Sequence, residues 1–232
     1  MTELESNLPK HVGIILDGNR RWAKAQGLPT LEGHLKGYNN LRELSEYIVS
    51  DLKIPYLTAY VFSTENWSRT EEEVGYLMKL LLRAFGEYLE DFKQNNGRIV
   101  VLGSRDKLSP AIVKAIDKAE SETKNNTGGT LALCFNYGGQ AEIVDAAQKL
   151  IDKPPKAKLT TEEFAQNLYH PEVPPLDLVI RTSGEQRLSG FMLYRAAYAE
   201  FYFAQKHWPE FTRADIDAAL LEYANRKRRF GS

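Results

Sequence analysis

The sequence predicts an α/β fold: a mainly parallel central sheet of about six strands surrounded by helices. Two observations carry that expectation. Short β-rich apolar runs alternate along the chain with longer segments of helical periodicity, the order that right-handed strand–helix–strand crossovers require. The runs are also nearly continuous in apolar residues, the pattern of strands covered on both faces. A hydrophobic share of 43% supplies a core, and 232 residues suit one domain spanning 1–232.

In chain order, "MTELESNLPK" is acidic and polar, lacks the apolar centre of a secretory leader, and gives a flexible lead-in over 1–9. "HVGIILD" (11–17) is the first strand and ends in an Asp-Gly turn pair. "YLTAYVFS" (56–63) is the second. "TEEEVGYLMKLLLRAFGEYLEDF" opens with the capping-box pair Thr70 and Glu73. Its Val74, Leu77, Met78, Leu81, Phe85, Leu89 and Phe92 then hold one helical face. "RIVVLG" (98–103) is the third strand, and Ser109 caps a helix with Pro110 in its first position. "LALCFNYG" (131–138) is the fourth and carries Cys134, whose isolation excludes an internal disulfide and marks a small buried hydrophobe. The glycines of "YGGQAE" (137–142) read as close packing between strand and helix. "DKPPKAK" (152–158) and "HPEVPP" (170–175) are surface connections. "LDLVIRT" (176–182) and "EFYFA" (200–204) complete the sheet, and "TRADIDAALLEYANRK" is a final amphipathic helix.

Charge excludes some functions. Thirty Lys and Arg against 31 Asp and Glu leave a net charge of -1, which argues against a general nucleic-acid binder. No apolar stretch approaches the roughly 18 residues of a membrane span, so a cytoplasmic location is expected. Walker, dinucleotide-binding, zinc-peptidase and nucleophile-elbow signatures are all missing.

Ligands of open α/β sheets bind beyond the carboxyl ends of the strands. The first strand end supplies Asp17, Gly18, Asn19, Arg20, Arg21 and Trp22; the second supplies Ser63, Thr64, Glu65, Asn66, Trp67 and Arg69. The fifth supplies Arg181, Thr182, Ser183, Arg187 and Ser189, and the sixth strand begins near Glu200. Singly these are ordinary, since Asp-Gly is a turn and tryptophans usually pack. Their convergence on one sheet edge points to a site. Arg21, Arg69, Arg181 and Arg187 imply polyanion recognition, because guanidinium forks match phosphate oxygens. Asp17 and Glu200 would repel phosphates unless a cation lay between, and Mg²⁺ suits one or two carboxylates plus substrate phosphates. His34, in "EGHLKG", sits close to the first site, whereas His11, His170 and His207 read as structural.

Several blocks resemble the cis-prenyltransferases, the undecaprenyl diphosphate synthase family. They are "HVGIILDGNRRWA", the Gly-His pair at 33–34, "YVFSTENWSR", "LDLVIRTSGEQRLSGFMLYRAAYAEFYF" and "RKRRFG", in the family's order from about residue 10 to the C-terminus. The resemblance implies repeated Mg²⁺-dependent condensation of isopentenyl diphosphate with an allylic diphosphate, farnesyl or geranyl, releasing pyrophosphate and forming cis double bonds. It further implies a homodimer, an apolar tunnel for the growing chain, an undecaprenyl-type carrier-lipid precursor as product, and transient contact with a membrane surface.

Carried over by position, Asp17 resembles the aspartate that engages Mg²⁺ and assists departure of the allylic diphosphate. Gly18, Asn19, Arg20 and Arg21 resemble the loop around that diphosphate, and Trp22, Thr30, His34, Ser63 and Thr64 its neighbouring contacts. Glu65, Asn66, Trp67 and Arg69 fall on the second-strand block, where the asparagine is the family's proton acceptor. Arg181, Arg187, Leu188 and Ser189 resemble the isopentenyl diphosphate clamp, and Glu200 the second metal contact. The tail 225–232, with "RRFG" at 228–231, resembles the segment that reaches a partner subunit's site. An amide is a feeble base, so Asn66 is expected to position substrate, with released pyrophosphate or His34 taking the proton. Thr30 departs from an arginine common in relatives. That substitution is expected to cost allylic binding about 1.5–3 kcal/mol unless Arg20 compensates. Three alternatives stand beside this assignment: a short-chain Z-prenyl diphosphate synthase, a phosphate-binding module without turnover, and a non-catalytic partner subunit, which the presence of Asp17, Arg181, Arg187 and Glu200 disfavours.

Overall fold

A computed structural model describes residues 7–155 and 157–226, apart from the Tyr88 side chain. Residues 1–6 of the expected lead-in and 227–232 of the expected tail, including "RRFG", lie outside the described residues.

All six expected strands form, and every neighbouring pair is parallel. They are β1 (His11–Ile15), β2 (Tyr56–Ser63), β3 (Arg98–Leu102), β4 (Thr130–Tyr137), β5 (Leu178–Arg181) and β6 (Glu200–Phe203). The spatial order β3-β4-β2-β1-β5-β6 sends the chain from β1 to β2 on one side and later to β5 on the other. The order therefore reverses at β1, and such a switch point leaves a crevice beyond the carboxyl ends of the strands. Register slips between β2 and β4 around Phe62, at the edge facing that crevice, where irregularities re-aim side chains.

Helices α1 (Asn19–Ala25), α2 (Thr30–Glu46), α3 (Glu71–Gln94), α4 (Pro110–Thr123), α5 (Gly139–Asp152), α6 (Thr161–Ala165) and α7 (Arg213–Asn225) wrap the sheet. One core face packs α2, α3, α4 and α7 against Ile14, Leu57, Leu131 and Leu133. On the other, Phe191, Met192 and Val173 cover Tyr60, Ala132 and Cys134. Cys134 is fully buried, and burial pushes its thiol well above the ordinary value, which makes it inert at neutral pH.

The expected capping box at α3 is half formed. Thr70 Oγ1 accepts from Glu73 N at 3.3 Å, but the Glu73 carboxylate bonds to His34 and Arg69 instead of returning to the Thr70 backbone.

His11 is wholly buried at the start of β1. Nδ1 faces the Pro174 carbonyl at 2.9 Å, so it carries the proton, and Nε2 accepts from the Thr58 hydroxyl at 2.7 Å. Burial, only partly offset by the Pro174 and Pro175 carbonyls, lowers its pKa from 6.5 to about 4. Between those values the unfolded chain binds the extra proton, so stability falls as pH drops. At pH 5 the loss relative to pH 7 is expected to be about 2 kcal/mol. Urea unfolding midpoints at the two pH values measure it, and His11→Gln should flatten the slope; an unchanged slope would remove His11 as its source.

Candidate active site

A cavity of about 1210 Å³ lies between the sheet and helices α2 and α3, opening beyond the carboxyl ends of β1, β2 and β5. Its depths are apolar, with Leu41, Phe62, Leu77, Leu81, Ala84, Leu133 and Phe135 among its walls. Leu133 is level with Ala59, four residues below Ser63, so the cavity runs about 13 Å down from the rim. Its mouth is ionic.

Asp17 stands at that mouth. Its Oδ2 accepts from Arg181 Nη2 at 2.8 Å, and Oδ1 lies 3.1 Å from Arg21 Nη2. Burial alone would raise its pKa; the Arg181 bond and charge, then those of Arg21, outweigh this and hold the carboxyl below its ordinary value. The backbone beneath is equally fixed. Thr182 Oγ1 accepts from Asp17 N at 3.0 Å and donates to Asp17 O at 2.7 Å, and Trp208 N donates to the same carbonyl at 3.0 Å. Arg181, only 4% exposed, also donates to Ser189 Oγ at 2.9 Å and to the Arg187 carbonyl. Arg21 Nη1 donates to Glu185 at 2.8 Å, and Arg187 bonds to the other oxygen of that carboxylate.

Opposite, α2 crowds α1. A Cβ on Gly33 would lie 2.1 Å from the Asn19 carbonyl oxygen, so only glycine lets the two helices approach this closely. The next residue, His34, is buried with Nε2 3.0 Å from Glu73 Oε1. Arg69 Nη1 donates to the same oxygen at 2.9 Å, and Arg20 Nε lies 4.0 Å away. Burial lowers the His34 pKa against the opposing pull of Glu73, so the imidazole is neutral at pH 7. For Glu73, burial is overcome by His34 and Arg69, which hold it ionised. Glu73, which does not border the cavity but holds His34 and Arg69 at its mouth, is a supporting residue that sequence reasoning missed, because its capping position explained it locally. The signal was its place four residues after Arg69 on a helix facing the rim.

Between β2 and α3, Thr64–Ser68 forms a 3₁₀ turn closed reciprocally by Ser63 and Asn66. Asn66 Oδ1 accepts from Ser63 N at 3.0 Å. Trp67 turns the other way, donating to Asn136 Oδ1 at 2.7 Å.

Of the expected site residues, Asp17, Gly18, Asn19, Arg20, Arg21, Thr30, His34, Ser63, Glu65, Asn66, Arg69, Arg181 and Ser189 border the cavity. Trp22, Thr64, Trp67, Arg187 and Leu188 do not, although Arg187 reaches the mouth through Glu185. Glu200 requires a correction. As the first residue of a parallel strand it lies at the opposite sheet edge, level with Leu178. That is three residues, about 10 Å of strand, before Arg181. Its carboxylate pairs with Arg226 at 2.8 Å. Within one chain, Asp17 and Glu200 do not flank a common metal, and no cluster of three or more potential ligands occurs among the described residues.

A doubly flanked parallel sheet here carries an arginine-lined, carboxylate-bearing mouth over a deep apolar cavity, a combination complementary in charge and polarity to an anionic head on a greasy tail. The comparisons agree. The undecaprenyl diphosphate synthase (Prenyltransf) family matches residues 15–231, and the chain belongs to it. It is 46% identical to the isoprenyl transferase of Fusobacterium nucleatum subsp. nucleatum over 98% of each chain, and 44% identical to that of Thermotoga maritima over 97% of each. A crystal structure of lavandulyl diphosphate synthase from Lavandula x intermedia, in complex with dimethylallyl diphosphate, superposes with a TM-score of 0.92. It is 34% identical, with 98% of this chain and 100% of that one covered.

Proposed function

We propose that this chain condenses isopentenyl diphosphate with an allylic diphosphate, farnesyl or geranyl, and extends it to a Z-polyprenyl diphosphate of the undecaprenyl type. The observation that carries the proposal is the ionised Asp17 held between Arg181 and Arg21 at the mouth of a cavity whose depths are apolar. Arg21, Arg69 and Arg181 supply prearranged positive charge where a departing diphosphate gathers negative charge. The aliphatic and aromatic walls surround the allylic carbon and keep out the water that would quench its cation.

The Asp17 carboxylate fits Mg²⁺, which is ordinarily held by one or two carboxylates plus substrate phosphates. When bound there, the ion would supply Lewis-acid neutralisation of diphosphate charge. Asn66, its carbonyl oxygen bonded to the Ser63 backbone, orders the turn that presents Arg69, which favours positioning over proton abstraction. His34, neutral and bonded to Glu73, is the better proton acceptor. Arg20, within 4.0 Å of Glu73 at the same mouth, is placed to supply a cation where Thr30 supplies none. The same proposal carries a homodimer and a cytoplasmic location with transient membrane-surface contact. No helix among the described residues is long and apolar enough to cross a membrane.

Incubation with Mg²⁺, farnesyl diphosphate and labelled isopentenyl diphosphate tests it. Long Z-products are expected, and no incorporation would sink the proposal. Products that stop after one or two additions would favour the short-chain alternative, to which the likeness to lavandulyl diphosphate synthase gives weight.

A further inference from the structure

Beneath the cavity mouth lies a serine–histidine pair that the proposed chemistry does not use. Ser183 Oγ is 2.6 Å from His207 Nδ1. Ser183 is buried, lies two residues beyond the end of β5, and adopts φ 78. That left-handed conformation is uncommon outside glycine and persists only where surroundings hold it in place. Here Ser183 N donates to the Lys206 carbonyl at 2.7 Å.

A short Ser–His contact is the arrangement that activates a nucleophile, but this hydroxyl does not border the cavity. Gly18 covers it: a Cβ there would lie 2.6 Å from Ser183 Oγ and 2.7 Å from His207 Nδ1. With φ 105, Gly18 is itself in the left-handed region, and its close approach to both side chains needs the missing Cβ. The next residue after His207, the fully buried Trp208, donates its backbone N–H to the Asp17 carbonyl at 3.0 Å and its indole N–H to the Gly37 carbonyl at 2.8 Å. Residues 207 and 208 thus grip both members of the Asp17–Gly18 turn, the imidazole under Gly18 and the main chain under Asp17.

We propose that His207, acting through Ser183, is a positioning residue that sets the Asp17–Gly18 turn and thereby the diphosphate-binding geometry of Asp17 and Arg21. The inference rests on the diphosphate chemistry proposed above. His207→Phe fills the ring's volume without a polar atom, whereas His207→Asn returns a polar atom near the position of Nδ1.

Calorimetric titration with inorganic pyrophosphate and Mg²⁺, paired with steady-state kinetics on farnesyl diphosphate, tests the proposal. His207→Phe is expected to weaken pyrophosphate binding about tenfold and raise the allylic KM by a similar factor, the ratio for roughly one lost hydrogen bond. The change in kcat should stay within about threefold, whereas a merely structural role would lower the amount of active enzyme and leave KM alone. His207→Asn should return both values to within about threefold of wild type. Ser183→Ala should match His207→Phe, and the double variant should be no weaker than either, as for two residues acting in one interaction.

Wild-type affinity in His207→Phe, an Asn variant as impaired as the Phe variant, or additive losses in the double variant would each overturn the inference. If His207→Phe does not fold, Ser183→Ala decides alone: undiminished pyrophosphate affinity rejects the role. Failure of the wild-type protein to bind pyrophosphate would instead remove the diphosphate reading and this inference with it.

Discussion

Arg181→Ala is expected to lower kcat/KM by about a hundred- to a thousandfold while the protein stays folded. The guanidinium is buried and shared among the Asp17 carboxylate, the Ser189 hydroxyl and the Arg187 carbonyl. Its removal leaves Asp17 with only the more exposed Arg21 as partner. Removing one prearranged donor from the place where negative charge develops costs about 2.7–4 kcal/mol of barrier, and each 1.36 kcal/mol is tenfold in rate. The substitution also lifts the Asp17 pKa, because the Arg181 hydrogen bond and charge are the foremost influences lowering it. The sign follows: a carboxyl with a depressed folded pKa stabilises the protein above its ordinary pKa, and that contribution disappears as pH falls through the depressed value. In Arg181→Ala the acid limb of the kcat/KM profile should therefore move to higher pH. Arg181→Lys should not rescue, since one ammonium cannot reach the oxygens that a planar fork spans. Profiles of the three proteins from about pH 4 to 8 measure both effects. Activity within tenfold of wild type, or an unmoved acid limb, would remove Arg181 from the centre of the site.

Much of this arrangement was legible in the residues. Short, nearly continuous apolar runs alternating with helical patterns fit strands buried on both faces, so the six strands and a mainly parallel sheet followed from composition and alternation, though their spatial order did not. Strand ends were less so. β1 stops at Ile15, because the Asp17 amide turns back to the Ile15 carbonyl at 2.9 Å, and no apolar pattern encodes such a turn. The arginines and Asp17 were readable because strand termini gather on one edge whatever the packing details.

Two placements depended on packing that sequence does not display. Glu73 satisfied a local rule at the start of α3, yet its carboxylate is claimed by His34 on another helix. Trp67 carried the look of a substrate contact, but its indole N–H is committed to Asn136, a buried residue held at φ 47. Glu200 was expected on the wrong sheet edge for a simpler reason. A residue that opens a parallel strand stands at the far edge from residues that close one, so its misplacement was a directional error that strand polarity could have corrected.

The largest stability effect is expected far from the mouth, at Arg195. Its side chain is 3% exposed and that of Glu142 0%, and the two meet at 2.6 Å. Every polar neighbour is engaged. Glu142 also accepts from the Tyr137 hydroxyl at 2.5 Å and from Tyr169 N at 3.1 Å. Arg195 donates from Nε to the Val173 carbonyl at 3.1 Å and from Nη2 to the Tyr169 carbonyl at 2.6 Å. The pair thereby ties α5 to the 168–176 connection and to the irregular segment that carries Phe191 and Met192 over the second face of the sheet. Arg195→Ala should cost about 3–5 kcal/mol, because an ionised Glu142 is left without a counter-charge in a dry interior. At this chain length that is roughly 6–20 °C in Tm. Glu142→Gln should be nearly as damaging for the mirror-image reason. Neutralising both, as in Arg195→Ala with Glu142→Gln, should cost clearly less than the sum of the singles, since neither charge is then stranded. Urea unfolding of the three variants gives the coupling directly. Strict additivity, or single variants within about 1 kcal/mol of wild type, would mean that water reaches the pair and that its burial is not what holds the second face in place.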